Sequence, residues 1–455
     1  MTKELHLIAV FAGVGLAVFL AGMYFTHELD SKQFVTEVTT RVDVPQTNTI
    51  ELDKENPIKV GVLHSFSGTM AISEKPVAEA ILLAIEEINK RGGVLGRQIQ
   101  PIVVDGRSDW QTFASEAERL IVEEDVSAIF GGWTSASRKT MKPVFEKYDH
   151  LLFYPVQYEG LEQSPNIIYT GAAPNQQVIP AVDWAFENLG TRFFLVGSDY
   201  VFPRSANEIM KERIKELGGE VVGEEYRILG SKNFTEIVDK IIEIQPDVIL
   251  NTINGDSNIW FFKELRSRGI LPQEIPTISF SIGEIEIEYL GTTDMAGDYA
   301  AWNYFQSLNT QENQNFVNNF KAKYGSDHVI DDPMEAGYIS VYLFAKAAEL
   351  AGSDDPSLIR KAVKGITFAA PEGIVGVDPK TQHTLKVVRI GQILENGQFK
   401  IVASSEVPIM PQPYPDYKSK EQWDSFLNAL YTNWNNNWSN PTQEVTEINL
   451  VEKNG

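Results

Sequence analysis

The sequence predicts an α/β protein built from two lobes, each a parallel β-sheet flanked by helices. Apolar strand patterns alternate with amphipathic helix patterns from residue 57 onward, which is typical of parallel sheets with right-handed crossovers. The alternation runs through two consecutive series, and 455 residues are too many for one ordinary core. Many predicted strands end in small polar or aromatic residues, so each series has an edge at which ligands commonly bind.

Composition excludes several classes of function. A formal net charge of -23 and the absence of basic runs argue against nucleic-acid binding, because an acidic surface repels phosphate backbones. The chain has no cysteine, which excludes disulfides, thiolate metal sites and a cysteine nucleophile. The hydrophobic fraction of 43% and charged fraction of 22% are typical of a soluble globular protein.

Residues 1–29 contain an apolar segment that predicts a signal peptide or a membrane anchor. Leu7 to Phe25 is uncharged over nineteen residues, and a helix of that length rises about 28 Å, close to a bilayer's hydrocarbon thickness. We favour the uncleaved anchor, because the run exceeds a usual signal core and no clear small-x-small cleavage site follows it. Met23 stands where a lipoprotein box needs cysteine, so thioether lipidation is impossible. The polar composition of residues 30–56 predicts a linker.

The first series predicts a lobe from residues 57–174. Ile58 to Leu63 alternates like a strand, and the apolar spacing from Val77 to Ile88 predicts a helix that ends at Gly92-Gly93. Further strands are predicted at 99–104, 127–130, 151–154 and 167–170, with helices at 110–121 and 135–148. Residues 305–365, with helices at 312–324, 334–351 and 356–363, should return to complete this lobe.

The second series predicts a lobe from residues 175–304 and 366–405. Its strands are expected at 193–196, 221–228, 248–253 and 277–281, and its helices at 176–189, 204–217, 234–244 and up to Arg268. Strand patterns at 368–377, 387–394 and 399–403 should finish this lobe, with Asn396-Gly397 as a hairpin turn. Residues 406–455 form a C-terminal extension with one predicted helix at 421–433.

No enzyme or metal motif is present in the sequence. GxSxG, HExxH and GxxxxGK[ST] are all absent, and the six histidines are scattered singly, which predicts surface or hydrogen-bonded loop positions for them. Asp331-Asp332 with Glu335 is better explained as a helix cap than as a cation site. We therefore predict no enzyme activity, no metal and no cofactor.

Residues that follow the predicted strands form the candidate ligand site. They combine flat aromatic surfaces, hydroxyl and amide groups, and carboxylate acceptors, a set that suits a small, planar, neutral, polar molecule such as urea. An amino acid would instead need a cationic or amide clamp for its carboxylate. Any single aromatic residue here could also be an ordinary core residue. The candidates are Trp133, Thr134, Ser135, Tyr154, Gln157, Tyr158, Ser198, Asp199, Tyr200, Asp256 and Glu284.

Several stretches together resemble the urea-binding component of ABC importers, within the short-chain amide-binding branch of the type I periplasmic binding proteins. The stretches are VGVLHSFSGTMAISE (60–74), GGWTSASRK (131–139), LLFYPVQYEGLE (151–162), YTGAAPNQQ (169–177), FLVGSDYVFPR (194–204), NTINGDSN (251–258), AAWNYFQSL (300–308) and DDPMEAGY (331–338). The resemblance covers about 57–415. It implies two lobes joined by three hinge crossings that close on ligand, with contacts from the turns at 133–135 and 197–200, the loop at 154–159, Asp256 and Glu284.

The expected function is an extracytoplasmic receptor, tethered to the inner membrane, that captures urea or a close short-chain amide and delivers it to ABC permease subunits. Three alternatives remain open. They are a branched-chain amino-acid receptor of the same fold, an amide-sensing receptor of a signalling system, and an amide-hydrolysing enzyme. The last of these lacks any nucleophile and base arrangement in the sequence.

Overall fold

The computed structural model describes residues 53–441. The predicted membrane segment at 1–29, most of the linker and the chain beyond residue 441 lie outside the described residues. Within residues 53–441, no helix is long and apolar enough to cross a membrane. The first strand, β1, spans Asp53–His64 and so begins four residues before the expected start of the folded part at Pro57.

Five parallel strands form the sheet of the first lobe, in the order β2-β1-β3-β4-β5. After β1 these are β2 Arg97–Asp105, β3 Ile129–Gly131, β4 Leu152–Tyr154 and β5 Ile167–Tyr169. The helices of this lobe are α1 Ala71–Lys90, α2 Trp110–Val122 and α3 Ser135–Lys147, followed later in the chain by α10 Gln311–Tyr324, α11 Asp332–Ala351 and α12 Pro356–Ala362. Helix α11 packs along α1 and is buried on nearly all sides, as its apolar sequence requires.

The second lobe contains a seven-stranded sheet in the order β15-β14-β10-β9-β8-β6-β7. Its strands are β6 Arg192–Ser198, β7 Glu220–Arg227, β8 Val248–Thr252, β9 Thr277–Ser279, β10 Tyr299–Trp302, β14 Arg389–Ile393 and β15 Phe399–Ser404. Its helices are α4 Val178–Asn188, α5 Val201–Leu217, α6 Thr235–Ile244, α7 Ser257–Ser267, α8 Glu284–Leu290 and α9 Thr292–Met295. The sequence analysis did not anticipate α8 and α9.

Alternate residues of β6 enter two different apolar cores, one on each face of this sheet. Phe193 and Leu195 belong to one core, whereas Phe194 and Val196 belong to the other. Successive side chains of a strand point to opposite faces, so a continuous apolar strand needs helices on both faces. The predicted hairpin is confirmed, since β14 and β15 pair antiparallel at the edge of the sheet.

The segment after α12 differs from the expectation that 366–405 joins the second lobe as a whole. Strands β11 Thr367–Ala370, β12 Gly373–Val377 and β13 Thr384–Leu385 form a separate antiparallel sheet. Val375 and Val377 join the apolar core of the first lobe. Alternating apolar residues identify a strand but not its partner, so the sequence pattern alone could not assign these strands to a lobe.

Three chain segments cross between the lobes, after β5, after β10 and before β14, and one side chain connects them. Asn303, on the second crossing, donates from Nδ2 to the Gln176 carbonyl on the first at 3.1 Å and to the Val387 carbonyl on the third at 2.9 Å. The Asp332 carboxylate, at the start of α11, accepts from the backbone N–H groups of Asn303 and Tyr304 at 2.9 and 2.8 Å. The hinge is therefore a single hydrogen-bonded unit.

We expect Gly131→Ala to lower the free energy of unfolding by about 1–3 kcal/mol, the usual range for overpacking. A Cβ at Gly131 would lie 2.0 Å from the Leu63 carbonyl oxygen, so β1 and β3 would have to move apart. Guanidinium chloride unfolding followed by circular dichroism would measure the change. Gly376→Ala is the matched control, because its nearest neighbour would be at 3.4 Å. Equal stability of the two variants would contradict the prediction.

Candidate functional site

The site lies at the carboxyl ends of β1, β3 and β4, on the side of the first lobe that faces the second. Because β1 and β3 are neighbours, with Leu63 opposite Gly131, the residues that follow these strands are brought together. The Gly132 N–H donates to the Leu63 carbonyl at 3.0 Å. Thr134 then caps α3 by accepting from the Ser137 N–H at 3.1 Å. Trp133 is thereby held between a strand end and a helix start.

Aromatic side chains from both lobes meet at this position. Trp133, which is 3% exposed, approaches Asn254 of the second lobe, with Nε1 and Oδ1 3.4 Å apart. The Tyr154 hydroxyl donates to the Trp133 carbonyl. Tyr200 at the start of α5 is also buried, and burial followed by the charges of Tyr154 and Glu159 raises the pKa of Tyr200 well above its usual value. Its hydroxyl is therefore a neutral donor at physiological pH.

A buried network of ion pairs packs against the Tyr154 ring. The Arg138 guanidinium donates to Glu159 at 3.0 Å and to Glu162 at 2.8 Å, and it lies 4.8 Å from the centre of the Tyr154 ring. Ser135 donates from its hydroxyl to Glu159. Although burial opposes it, the charges of Arg138 and Lys139 lower the pKa of Glu162. Both buried cations beside the site are thus committed to carboxylates.

His64 and Glu74 are site residues that the sequence analysis missed. His64 ends β1 and Glu74 lies in the first turn of α1, and both are wholly buried. One Glu74 oxygen, Oε2, accepts from the Ser65 N–H at 2.7 Å and lies 3.4 Å from His64 Nδ1, in a geometry that gives no hydrogen bond. Glu74 Oε1 and both His64 ring nitrogens have no hydrogen-bond partner among the described residues.

The position of His64 corrects the expectation that each histidine would be exposed or hydrogen-bonded. Its place immediately after the first strand was a usable signal, because ligands bind beyond the carboxyl ends of parallel strands. Glu74 gave no comparable signal, since a glutamate in the first turn of a helix is commonplace. Its charge also contributes to the raised pKa of Tyr200.

Gln157, in the loop after β4, connects the lobes directly. Its Nε2 donates to the Phe280 carbonyl of the second lobe at 2.7 Å. Its Oε1 is buried and has no hydrogen-bond partner in residues 53–441. A buried acceptor without a donor costs roughly 1–3 kcal/mol. Gln157 Oε1 and Glu74 Oε1 are therefore two positions at which a ligand N–H would lower the free energy.

Three of the predicted site residues, Tyr158, Ser198 and Asp199, bond to other protein groups. Tyr158 stacks on Tyr169, with ring centres 5.1 Å apart, and its hydroxyl bonds to His383. The Ser198 hydroxyl accepts from the Asn254 N–H at 3.1 Å. Asp199 accepts from Arg204 at 2.7 Å. These contacts orient the turns around the site.

Two further candidates, Asp256 and Glu284, lie at contacts between the lobes. Asp256 accepts from the Thr69 hydroxyl of the first lobe. Glu284 starts α8, where its Oε1 accepts from the Gln306 N–H at 2.7 Å and its Oε2 has no partner among the described residues. Burial raises the pKa of Glu284 to about 8, and the charges of Asp332 and Glu286 add to the rise. Glu284 therefore belongs to a group of buried carboxylates at the hinge.

Within the described part of the chain, no group of three or more histidine, aspartate or glutamate residues is arranged to hold a metal ion. The Asp331-Asp332 pair is a helix start, as predicted, because the Asp331 carboxylate accepts from the Met334 N–H at 3.2 Å. The site consists of rings, hydroxyl and amide groups and unpartnered acceptors, a set that can bind a small molecule by stacking and hydrogen bonding.

Two lobes joined by a hinge, with such a set of side chains buried between them, define a bilobed binding protein. The family model described as periplasmic binding protein domain matches residues 58–420. The chain belongs to the periplasmic binding protein family.

Similarity to individual proteins agrees with this assignment. The chain is 22% identical over 346 residues to Leu/Ile/Val-binding protein homolog 6 of Brucella melitensis, covering 74% of this chain and 87% of that protein. A stretch of 124 residues is 37% identical to a limonene hydroxylase of Geobacillus stearothermophilus, but it covers only 27% of this chain and 23% of that protein. So short a match to part of a longer protein carries no argument about function.

Two solved structures show the same fold. One is a solute-binding protein of an ABC transporter from Rhodopseudomonas palustris in complex with p-hydroxybenzoic acid, with a TM-score of 0.72, 23% identity and coverage of 78% of this chain and 98% of that chain. The other is a branched-chain amino acid transporter substrate-binding protein from Streptococcus pneumoniae in complex with isoleucine, with a TM-score of 0.69, 21% identity and coverage of 78% and 100%. At 23% and 21% identity, the similarity to these two structures shows a shared fold.

The pKa of Glu284 leads to a testable pH dependence. The folded-state value of about 8 lies above the ordinary glutamate value, so the stability this group contributes is present below about pH 4.5 and is lost as pH rises through 8. Glu284→Gln cannot ionise. We expect its free energy of unfolding, relative to wild type, to rise by up to about 1.4 kcal/mol per pH unit between pH 5 and 8. Guanidinium chloride titrations across this range would measure it. The exposed Glu421→Gln is the control, and a difference that does not vary with pH would contradict the prediction.

Proposed function

We propose that this protein is the receptor of an ABC importer that captures urea, or a close short-chain amide, between its lobes and delivers it to the permease. The observation that carries the proposal is the pair of buried acceptors, Glu74 Oε1 and Gln157 Oε1, that have no donor among the described residues. Urea presents four N–H donors and one carbonyl acceptor, so a site for it needs more acceptors than donors.

The groups around these acceptors suit the rest of the ligand. Trp133 and Tyr154 offer flat faces for a planar molecule. The Tyr200 hydroxyl and the Trp133 Nε1–H, whose bond to Asn254 is long at 3.4 Å, are donors for the ligand carbonyl. We propose that Trp133, Thr134, Ser135, Tyr154, Gln157 and Tyr200, together with His64 and Glu74, form the contact surface, and that Tyr158, Ser198, Asp199, Asp256 and Glu284 act through the turns and interlobe contacts that hold it.

The commitment of the nearby cations argues against a carboxylate ligand. Arg138 and Lys139 are paired with Glu159 and Glu162, and no positive charge is left over from this network. A ligand carboxylate would lie near Glu74 and Glu159 without a compensating cation, and leaving such a charge unpaired in a buried site is costly. The lack of an unpaired cation therefore favours a neutral amide over an amino acid or a benzoate as the ligand.

Ligand capture would work by closure of the lobes. Bonds from Gln157 to Phe280 at 2.7 Å and from Ser73 to Glu286 at 2.6 Å join the first lobe to the second. A ligand that touches both walls binds the closed form better than the open form, and only such a difference can shift the equilibrium. The closed form would then dock on the permease. We further propose an extracytoplasmic location with the apolar segment Leu7 to Phe25 as its membrane tether.

A branched-chain amino-acid receptor is the alternative, and the names of relatives support it. Leu/Ile/Val-binding proteins match most of this chain, and one structural neighbour holds isoleucine. In that case a clamp of N–H donors would have to hold the ligand carboxylate in place of a cation. The two functions predict different ligands and can be separated by direct binding.

Isothermal titration of the purified protein with urea, acetamide, leucine and p-hydroxybenzoate would separate these functions. We expect saturable heat with urea or acetamide, because the N–H groups of either molecule can donate to the unpartnered acceptor oxygens of the site. Leucine and p-hydroxybenzoate should give no heat of binding, because the site offers no unpaired cation to their carboxylates. Binding of leucine alone would reject the amide proposal and establish the alternative.

Glu74→Gln tests the role of Glu74 Oε1, the acceptor that the sequence analysis did not identify. Its carbonyl oxygen can keep the bond from the Ser65 N–H, while an NH₂ group replaces Oε1, so a ligand N–H meets a donor in place of a carboxylate. We expect the amide Kd to rise about 10- to 100-fold, the range for losing a hydrogen bond to a charged group. The control is Glu86→Gln, whose side chain is 40% exposed and pairs with Lys90 and Lys323. Equal affinity of the two variants would remove Glu74 from the site.

A further inference from the structure

The C-terminal extension ends, within the described residues, in a short segment that lies against the candidate site. Residues 437–440, which we name the C-terminal strap, contact the start of α5 in the second lobe. The Val201 N–H donates to the Trp438 carbonyl at 2.9 Å, and the Asn440 N–H donates to the Asp199 carbonyl at 3.1 Å. Asn440 Nδ2 also donates to the Asp199 carboxylate at 2.8 Å. The strap is thus fixed to the turn that carries Tyr200.

The same strap also reaches the first lobe. The Ser439 hydroxyl lies 3.4 Å from Nε1 of Trp110, the first residue of α2. Trp438 is 5.0 Å from Nζ of Lys139 on α3, and Trp110 packs on Tyr200, with ring centres 6.4 Å apart. The strap therefore connects both lobes beside the aromatic residues of the candidate site.

Helix α13, Lys420–Asn433, anchors the strap on the second lobe. Trp423 is wholly buried in a core made mainly of second-lobe residues, with Ala136 and Leu161 from the first lobe, and its Nε1 donates to the Pro415 carbonyl at 2.9 Å. Just before the helix, Lys418 bonds to Glu208 at 3.0 Å and also to Glu212 of α5. When the lobes separate, the strap should therefore stay with the second lobe and lose its contacts with Trp110 and Lys139.

The strap has a defined shape of its own. Asn437 Oδ1 accepts from the backbone N–H groups of Trp438 and Ser439, at 2.7 and 3.3 Å, which is the local turn that asparagine side chains favour. The match to the family model ends at residue 420, so all of α13 after Lys420 and the whole strap lie beyond the matched residues.

We infer that the C-terminal strap is a latch that stabilises the closed form and slows release of the ligand. Opening of the lobes must break the contact between Ser439 and Trp110 and expose the ring face of Tyr200 that Trp110 covers. Closing re-forms the contact and covers the ring again. Asp199 fixes the strap to the turn that carries Tyr200, because its carboxylate is shared between Arg204 and Asn440. The part of the inference that concerns ligand release rests on the proposed receptor function, and the part that concerns closure does not.

The absence of cysteine from the chain permits a direct measurement of closure without ligand. Spin labels on Ser115→Cys in α2 and Glu236→Cys in α6, both exposed, would report the distance between the lobes by pulsed electron resonance. In the full chain we expect a large closed population. Removal of residues 437–455 should shift the distribution to longer distances, and removal of 442–455 alone should leave it unchanged. Identical distributions in the full chain and the 437–455 deletion would overturn the inference.

Ligand release gives a second readout with a matched pair of variants. Ser439→Ala removes the hydroxyl that faces Trp110, and Ser425→Ala removes an exposed hydroxyl of α13 that bonds within its own helix. We expect about fivefold faster urea dissociation for Ser439→Ala, the equivalent of one neutral hydrogen bond, and no change for Ser425→Ala, by stopped-flow tryptophan fluorescence. Equal rates for both variants would overturn the latch. If urea does not bind at all, the proposed function fails while the distance measurement still decides whether the strap governs closure.

Discussion

The structure depends on the way Asn303 holds the three crossing segments together. A single side-chain amide donates to carbonyl oxygens on the first and third crossings, while its own backbone N–H is held by Asp332. Crossing segments have no sheet partners for all their backbone groups, and buried groups without partners are costly. The amide satisfies two such carbonyls at once, and in doing so it fixes where the second lobe begins relative to the first.

Buried charge surrounds both the hinge and the site, with different balances. At the site, Arg138 and Lys139 face Glu159 and Glu162, so cations and carboxylates are equal in number. Around the hinge, four carboxylates, Asp331, Asp332, Glu335 and Glu372, outnumber the two nearby buried cations, Lys386 and Arg389, and burial raises the pKa of each carboxyl group. Balanced charge gives rigid support, whereas an excess of buried carboxylates binds protons in place of cations. Stability at the hinge should therefore respond to pH more than the geometry of the site does.

The candidate site and the C-terminal extension meet at one turn, Gly197 to Tyr200. From the first lobe, Trp133 approaches Asn254, whose N–H donates to the Ser198 hydroxyl of this turn. From the extension, Asn440 bonds to the carbonyl and the carboxylate of Asp199, and the Trp438 carbonyl accepts from the N–H of Val201, which follows the turn. Because this turn carries proposed ligand-site residues and also anchors the strap, the latch that we infer would couple closure of the lobes to the position of the extension.

The sequence by itself determined most of the order of strands and helices, the two-lobed α/β class and the strand ends from which the candidate site is built, because side-chain periodicity is a local property. It also selected Trp133, Gln157 and Tyr200, which contact the opposite lobe. Tertiary structure alone decided that Tyr158 stacks behind the site, that Asp199 holds Arg204 and Asn440, and that Thr367 to Val377 packs with the first lobe. It also decided that His64 and Glu74 are buried without full hydrogen bonding. These outcomes depend on which strands pair and which side chains meet across the chain, and no local pattern encodes such distant partners.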